Sequence, residues 1–223
     1  MIRFLAQLAL ALLAIPMVLA VLYNFSNPAS TLMLYRLASG QRVERIWTPI
    51  SQISPTLVRT VVASEDTRFC SHNGIDITEM RRMAERADDL EDLRGTSTIT
   101  MQVVKNLFLW QHPEVPRKLL EMPLALWLDL VMSKRRIMEI YLNIAEWGPD
   151  GTFGVAAAAQ ASFGVSPARL NATQSARLAV MLPNPRRRSA ANPGPGLLRL
   201  ADRLQARVPR EAPDMIACLG LRD

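Results

Sequence analysis

The sequence predicts a mainly α-helical domain behind a single N-terminal transmembrane helix. Two observations carry that expectation. The stretch Phe4–Leu22 is apolar apart from Gln7, and from Leu57 onward apolar residues recur at helical intervals, as in Ile77, Met80, Ala84, Ala87 and Leu90. At ~1.5 Å per residue the apolar stretch reaches roughly 28 Å, close to the hydrocarbon thickness of a bilayer, and Pro16 is tolerated there. A cleaved signal peptide is the alternative. Its apolar region usually runs about 7–15 residues, and Val18-Leu19-Ala20 is a weak cleavage site, so the uncleaved anchor is preferred. Positive-inside counting applies to short flanks and not to a large translocated domain, which puts the N-terminus inside and the domain outside.

Asn24 to Ser30 reads as a short linker, and the mixed stretch up to Ser54-Pro55, with a turn at Ser39-Gly40, is where any strands are expected. Asp76 and Glu79 are placed as an N-cap and its N3 partner for a helix that should stop near Gly95. Further helices are expected over Thr98–Trp110, over the long stretch Val115–Trp147 with Pro123 as a kink, over Val155–Phe163 and over Ala168–Leu182. After Leu182 prolines break the chain, Arg186, Arg187 and Arg188 form a basic run, and a last short helix is expected around Leu197–Val208. This divides the chain into a cytoplasmic stub and anchor (1–25), a linker leading into the lobes (26–55), the main domain (56–190) and a C-terminal tail (191–223).

Composition agrees with one packed domain. In 223 residues, hydrophobic types make up 49% and charged types 21%, with 10 Gly and 15 Pro, which excludes a disordered or collagen-like polymer. The 26 basic and 20 acidic side chains leave a net charge of +6. Nucleic-acid binding fits poorly, because no motif interleaves aromatic with basic residues and the domain is expected outside. The only histidines, His72 and His112, and the only cysteines, Cys70 and Cys218, form no zinc-type spacing, so no metal ligands are assigned. Whether the two cysteines pair is left open; an oxidising compartment and a Cα separation within about 7 Å would allow it.

Chemistry-bearing residues fall into three clusters. In Ser64-Glu65-Asp66-Thr67-Arg68-Phe69-Cys70-Ser71-His72-Asn73-Gly74, adjacent carboxylates repel, and one of them within hydrogen-bond reach of a hydroxyl can serve as general base. In Gly95-Thr96-Ser97-Thr98-Ile99-Thr100-Met101-Gln102-Val103-Val104-Lys105-Asn106-Leu107-Phe108, hydroxyl residues open a helix, the end that favours phosphate. Thr98, Gln102 and Lys105 share one face of it, opposite Ile99, Val103 and Leu107. In Arg117-Lys118-Leu119-Leu120-Glu121, both cations share a face with the carboxylate. A salt-bridged surface helix explains that spacing, unless the face lines a cleft where the cations would meet anionic phosphates.

Together these segments, with Arg136-Ile137-Met138-Glu139-Ile140-Tyr141-Leu142-Asn143, Gly148, Gly154, Ala157-Ala158 and Leu182-Pro183-Asn184-Pro185, resemble the glycosyltransferase family 51 domain. That domain is the peptidoglycan polymerase module of class A penicillin-binding proteins and of monofunctional transglycosylases. The resemblance covers about Val58 to Pro185. It implies a lysozyme-like, two-lobed helical fold and a hydrophobic surface dipping into the bilayer. It also implies a transferase for peptidoglycan biosynthesis, cell wall biogenesis and cell shape. The growing lipid-linked glycan would be the donor and the GlcNAc 4-hydroxyl of lipid II the acceptor. A β-1,4 bond would form with inversion, releasing undecaprenyl pyrophosphate.

Carried over by motif, the resemblance implies that Glu65 is the general base and Glu121 a second catalytic carboxylate, which would assist at the pyrophosphate side or position its cation or protonated group. Lys105, Arg117 and Lys118 would stabilise the leaving pyrophosphate. Ser97, Thr98, Gln102 and Asn106 would orient the donor, Asp66, Phe69 and His72 would shape the substrate site, and Tyr141 and Asn143 would hold the lobes together. No cofactor is required by the sequence, although Mg²⁺ or Mn²⁺ is compatible with screening the pyrophosphate. Expected partners are lipid II, the growing glycan, the bilayer and other cell-wall synthesis proteins. The expected location is the inner, plasma membrane, single-pass, with the catalytic domain on the periplasmic or outer side. With no Ser-x-x-Lys tetrad and a short tail, a monofunctional enzyme is expected. Three departures stand out: Met101 where the family usually has glutamine, Cys70-Ser71 in place of an aromatic or proline followed by an acid, and Gln174 in place of glutamate. Met101 is expected to weaken donor contacts. A lytic enzyme on finished glycan and a binding protein without turnover are the rival readings.

Overall fold

The computed structural model describes residues 2–85, 97–110, 114–149, 151–210 and 213–221; side chains are described for these except residues 2, 4–6, 8–13, 84, 114–116, 210, 213 and 214. The chain is mainly helical. Helix α1 is Ile2–Leu22, α2 is Thr31–Ala38, α3 is Pro55–Glu65 and α4 is Ile77–Ala84. They are followed by α5 (Ile99–Phe108), α6 (Glu114–Val131), α7 (Lys134–Ile144), α8 (Val155–Phe163), α9 (Ala172–Met181) and α10 (Pro195–Arg207). Two short strands, β1 (Glu44–Arg45) and β2 (Thr152–Phe153), pair in parallel, Glu44 opposite Thr152 and Arg45 opposite Phe153. Gly151, at φ +77°, carries the chain into β2, and a Cβ there would stand 1.9 Å from the Arg42 carbonyl oxygen. Only glycine fits that approach.

Side-chain caps set several boundaries. Asp76 accepts from the Glu79 N–H and starts α4, as expected, while the continuation through Ala87 and Leu90 to Gly95 lies outside the described residues. The stretch expected as one helix kinked at Pro123 is two. Pro123 lies within α6, and the break falls at Met132-Ser133, where the Ser133 hydroxyl accepts from the Arg136 N–H and starts α7. The segment expected to hold strands forms helix α2 first, started by the Ser30 hydroxyl bonding the Met33 N–H. Before α9, Asn171 and Gln174 form a reciprocal capping box, so glutamine at position 174 performs the capping that a glutamate would.

Helix α3 packs on α9 and α10, and α5 packs on α6 and α7. One continuous core joins the two groups through Leu57, Val58, Val61 and Val62 of α3, Ile99, Val103 and Val104 of α5, and Ile137, Ile140 and Leu142 of α7. Asn143 is wholly buried and ties the arm before α3 to α7. Its amide oxygen accepts from Thr48 N (2.7 Å), and its amide nitrogen donates to Thr48 O (2.9 Å) and Glu139 O (2.8 Å). Asn143→Ala leaves these buried backbone groups without those partners, so denaturant unfolding is expected to show a loss of about 2–4 kcal/mol. A loss below about 1 kcal/mol would mean that water replaces the amide.

The linker expected at Asn24 to Ser30 is bonded to the domain. Asn24 Nδ2 donates to Val131 O (3.1 Å), Trp127 Nε1 donates to Met17 O (3.1 Å), and the Arg136 guanidinium donates to Tyr23 O (3.0 Å) and Ser26 O. Among the described residues no helix is long and apolar enough to cross a membrane. Within the apolar stretch Phe4–Leu22, residues 4–6 and 8–13 have side chains outside the described ones.

Cys70 and Cys218 form a disulfide with Cα atoms 5.6 Å apart, resolving the pairing left open by the sequence. It clips the loop after α3 to the 3₁₀ turn Pro213–Leu219, whose Met215, Ile216 and Leu219 are buried in the core.

Candidate active site

Helix α3 ends on Glu65, with Asp66 as its C-cap. The cap residue organises the corner between α3 and α5. The Asp66 carboxylate meets His72 Nε2 at 3.0 and 3.1 Å and accepts from the Ile99 backbone N–H at 2.9 Å, which places the start of α5 beside the end of α3. Thr98 caps α5 by accepting from the Met101 N–H (3.1 Å) and donates its own proton to the Gly74 carbonyl (2.6 Å). Gly74 sits at φ +81°, with the Ala125 carbonyl oxygen 2.4 Å from where a Cβ would be, so the loop closes against α6 only with glycine. Phe69 is wholly buried, edge-on to His72, with Lys134 Nζ 4.7 Å from its ring centre. Asp66, Phe69, His72 and the Thr98 hydroxyl are thus engaged in building this corner.

Glu65 is held by its neighbours. Gln102 Nε2 donates to its Oε2 at 3.1 Å, and the Ser64 hydroxyl donates to its Oε1 at 3.2 Å. The Gln102 carbonyl in turn accepts from the Tyr141 hydroxyl at 3.2 Å. Burial raises the Glu65 pKa, and the charge of Asp66 adds to it. The hydrogen bonds from Gln102 and Ser64 and the charge of Lys105 oppose that rise. The carboxylate therefore holds its proton more tightly than a free glutamate, which suits a group that must receive one.

Two polar cavities are lined by the two partners of the Gln102–Glu65 hydrogen bond, one by each. One of about 190 Å³ is lined by Ser64, Glu65, Asp66, Thr67, Asp76, Glu79, Ser97, Thr98 and Arg207. The other, of about 180 Å³, is lined by Gln102, Lys105, Asn106 and Tyr141, with Glu146 and Leu182-Pro183 on its far side. Glu65, Ser97 and Thr98 thus share one chamber, and Gln102, Lys105 and Asn106 the next. Arg117, Lys118 and Glu121 line neither of them. Arg117 and Glu121 form a buried i,i+4 ion pair within α6, with side chains 7% and 2% exposed, which is not the solvated surface pair their spacing permitted. Gly95 and Thr96, which open the second motif, and His112 lie outside the described residues.

Met101 faces away from both chambers. Its side chain is 2% exposed and belongs to the core, so the expectation that it removes a polar group from the substrate-facing stripe is corrected. Residue 101 lies about 100° around the helix from Gln102, on the side that packs inward. Sequence reasoning missed Arg207. It ends α10, donates to the Ala63 carbonyl, and brings a cation into the Glu65 chamber from a segment read as a tail. The one sign of it was a basic residue ending an amphipathic helix. Among the described residues no group of three or more His, Cys, Asp or Glu is placed to hold a metal ion.

A half-buried carboxylate opening on a polar chamber, beside a second chamber carrying lysine, places a proton acceptor near a cation. The chain belongs to the transglycosylase family, whose model matches residues 31–208. It is 56% identical over 206 residues to a biosynthetic peptidoglycan transglycosylase of Rhodopseudomonas palustris strain TIE-1, covering 92% of this chain and 87% of the relative. Relatives with the same description occur in Nitrobacter winogradskyi, at 53% identity over 92% of this chain and 91% of the relative, and in Mesorhizobium japonicum, at 50% over 95% and 90%.

Proposed function

We propose that the protein polymerises peptidoglycan glycan strands, transferring the growing lipid-linked glycan to the GlcNAc 4-hydroxyl of lipid II. The observation that carries this reading is Glu65, a half-buried carboxylate on the wall of a polar chamber whose pKa is raised by its partial burial. Its relatives' description supplies the substrate class. Glu65 removes the hydroxyl proton as the oxygen attacks the anomeric carbon from the face opposite the leaving group, giving a β-1,4 bond with inversion. Lys105, across the Gln102 bridge, meets the charge that develops as undecaprenyl pyrophosphate departs. Ser97, Gln102 and Asn106 orient the sugars by hydrogen bonds. Arg117 and Lys118 add positive charge from α6, where Glu121 holds Arg117 in place. The two chambers correspond to the cleft of a lysozyme-like, two-lobed domain.

The location is part of the same reading. Helix α1 crosses the inner membrane and the domain stands outside, where an oxidising compartment sustains the Cys70–Cys218 bond. Exposed apolar side chains at Ile15, Val18, Val21 and Leu22 of α1 suit a lipid environment.

The test is incubation of the full chain, in detergent or vesicles, with purified lipid II, reading polymer length and undecaprenyl pyrophosphate release. Finished glycan is supplied in a parallel reaction, and both are run with and without Mg²⁺. Polymer from lipid II is the expected result. Cleavage of finished glycan without polymer would replace the synthase by a lytic enzyme.

A further inference from the structure

We propose that Tyr141 is a positioning residue for the base, fixing the Gln102 amide so that its N–H, and not its carbonyl, faces the Glu65 carboxylate. The proposal rests on Glu65 being the general base.

The amide of Gln102 has two faces and two neighbours. Toward Glu65 it presents Nε2 at 3.1 Å, and toward Tyr141 it presents Oε1, which accepts from the phenol at 3.2 Å. An amide can rotate by half a turn with little change of shape, and its bonding partners decide which orientation holds. In the reversed orientation the carbonyl would meet an ionised carboxylate, acceptor against acceptor. That orientation is favourable only when Glu65 carries a proton to donate. The phenol would then accept from Nε2, and its own proton would lose the Gln102 carbonyl at a residue 1% exposed. The observed chain, phenol to amide to carboxylate, gives the phenol and the amide nitrogen each an acceptor with Glu65 ionised, the form able to act as base.

The phenol keeps its proton for this task. Burial, with the charges of Glu65 and Asp66 adding to it, raises the Tyr141 pKa well above that of free tyrosine. Tyr141 therefore remains a neutral donor throughout the range in which Glu65 titrates. The other charged groups facing Glu65 are Asp66 at its own helix end and Lys105 from α5, with Asp76, Glu79 and Arg207 on the chamber wall. The orientation of the Gln102 amide is read from the Tyr141 hydroxyl, which contacts its carbonyl from α7. The motif containing Tyr141 and Asn143 thus divides its work. Asn143 ties down the arm before α3, and Tyr141 reaches the base through one intermediary.

The test compares wild type, Tyr141→Phe, Gln102→Met and the double variant across a pH series with lipid II, separating kcat from KM. In Tyr141→Phe the ring still fills its place, but the amide is free to reverse. The acid limb of kcat is expected to move up by about 1 pH unit, with KM changed less than about threefold and kcat recovering on the alkaline plateau. Gln102→Met breaks the same chain at its centre and should move the limb in the same direction. Adding Tyr141→Phe to it should produce no further shift. A kcat lowered by the same factor at every pH, or two shifts that add, would overturn the proposal and leave Tyr141 a packing residue. Melting curves of all variants separate a shifted limb from partial unfolding. Glu65→Gln is run alongside. If it stays active the base assignment has failed, whereas an inactive Glu65→Gln beside an unshifted Tyr141→Phe refutes the relay alone.

Discussion

Replacing Glu65 by glutamine is expected to lower polymerisation by about 10²–10⁴-fold, the range that a positioned general base contributes. The variant should melt no lower than wild type. The raised pKa means that the folded state binds a proton more tightly than the unfolded chain. Stability therefore falls as pH rises through the window between the unfolded and folded values, and at neutral pH the ionised side chain works against the fold. Glutamine removes that charge while keeping the shape, and its amide can still bond Gln102 and Ser64. Loss of turnover with unchanged or higher thermal stability, read by calorimetry at pH 7, is the expected pair of results. Lost activity accompanied by a lower melting temperature would mark Glu65 as structural.

Cutting the Cys70–Cys218 bond is expected to destabilise the fold by about 2–5 kcal/mol, because it closes a loop spanning 148 positions. Cys70 is half-buried and Cys218 exposed, so a small thiol reductant can reach the bridge. The measurement is thermal unfolding with and without reductant, repeated on Cys70→Ser with Cys218→Ser, where reductant should have no further effect. Below the melting transition the rate should change far less than the stability, because Asp66, His72 and Thr98 hold the corner by their own hydrogen bonds. Identical melting of oxidised and reduced protein would mean that the packing of Met215, Ile216 and Leu219 holds that segment without the clip.

Much of the site is local in sequence, and that part is legible there. Glu65 with Asp66, and Thr98 through Asn106, each lie on one helix end or face, so spacing alone groups them. The helices past Leu57 are readable for the same reason, and the errors fall at breaks set by one polar side chain, such as Ser133. The contacts that make the site operate are not local. Gln102 bonds Glu65 from 37 positions away and Tyr141 from 39, and Arg207 reaches Ala63 across 144. No periodicity encodes such meetings, which arise only when α5 packs on α7 and α10 on α3. Met101 shows the converse. Next to a site residue in sequence, it is one helical step away in space, so its departure from the family pattern falls on the core.

The bonds joining Asn24, Tyr23 and Ser26 to the ends of α6 and α7 bear on how the catalytic domain would stand at a membrane. A domain on a slack tether samples many heights and headings, and its chambers face the lipid surface only part of the time. Here the chain leaves α1 through anchored carbonyls, so the tilt of that helix is handed directly to the domain. If α1 lies in lipid as proposed, these bonds would limit how far the mouth of the Glu65 chamber can turn or rise relative to that helix. A lipid-linked sugar diffusing in the plane of the bilayer would then reach the chamber by lateral travel, with little need for the enzyme to turn.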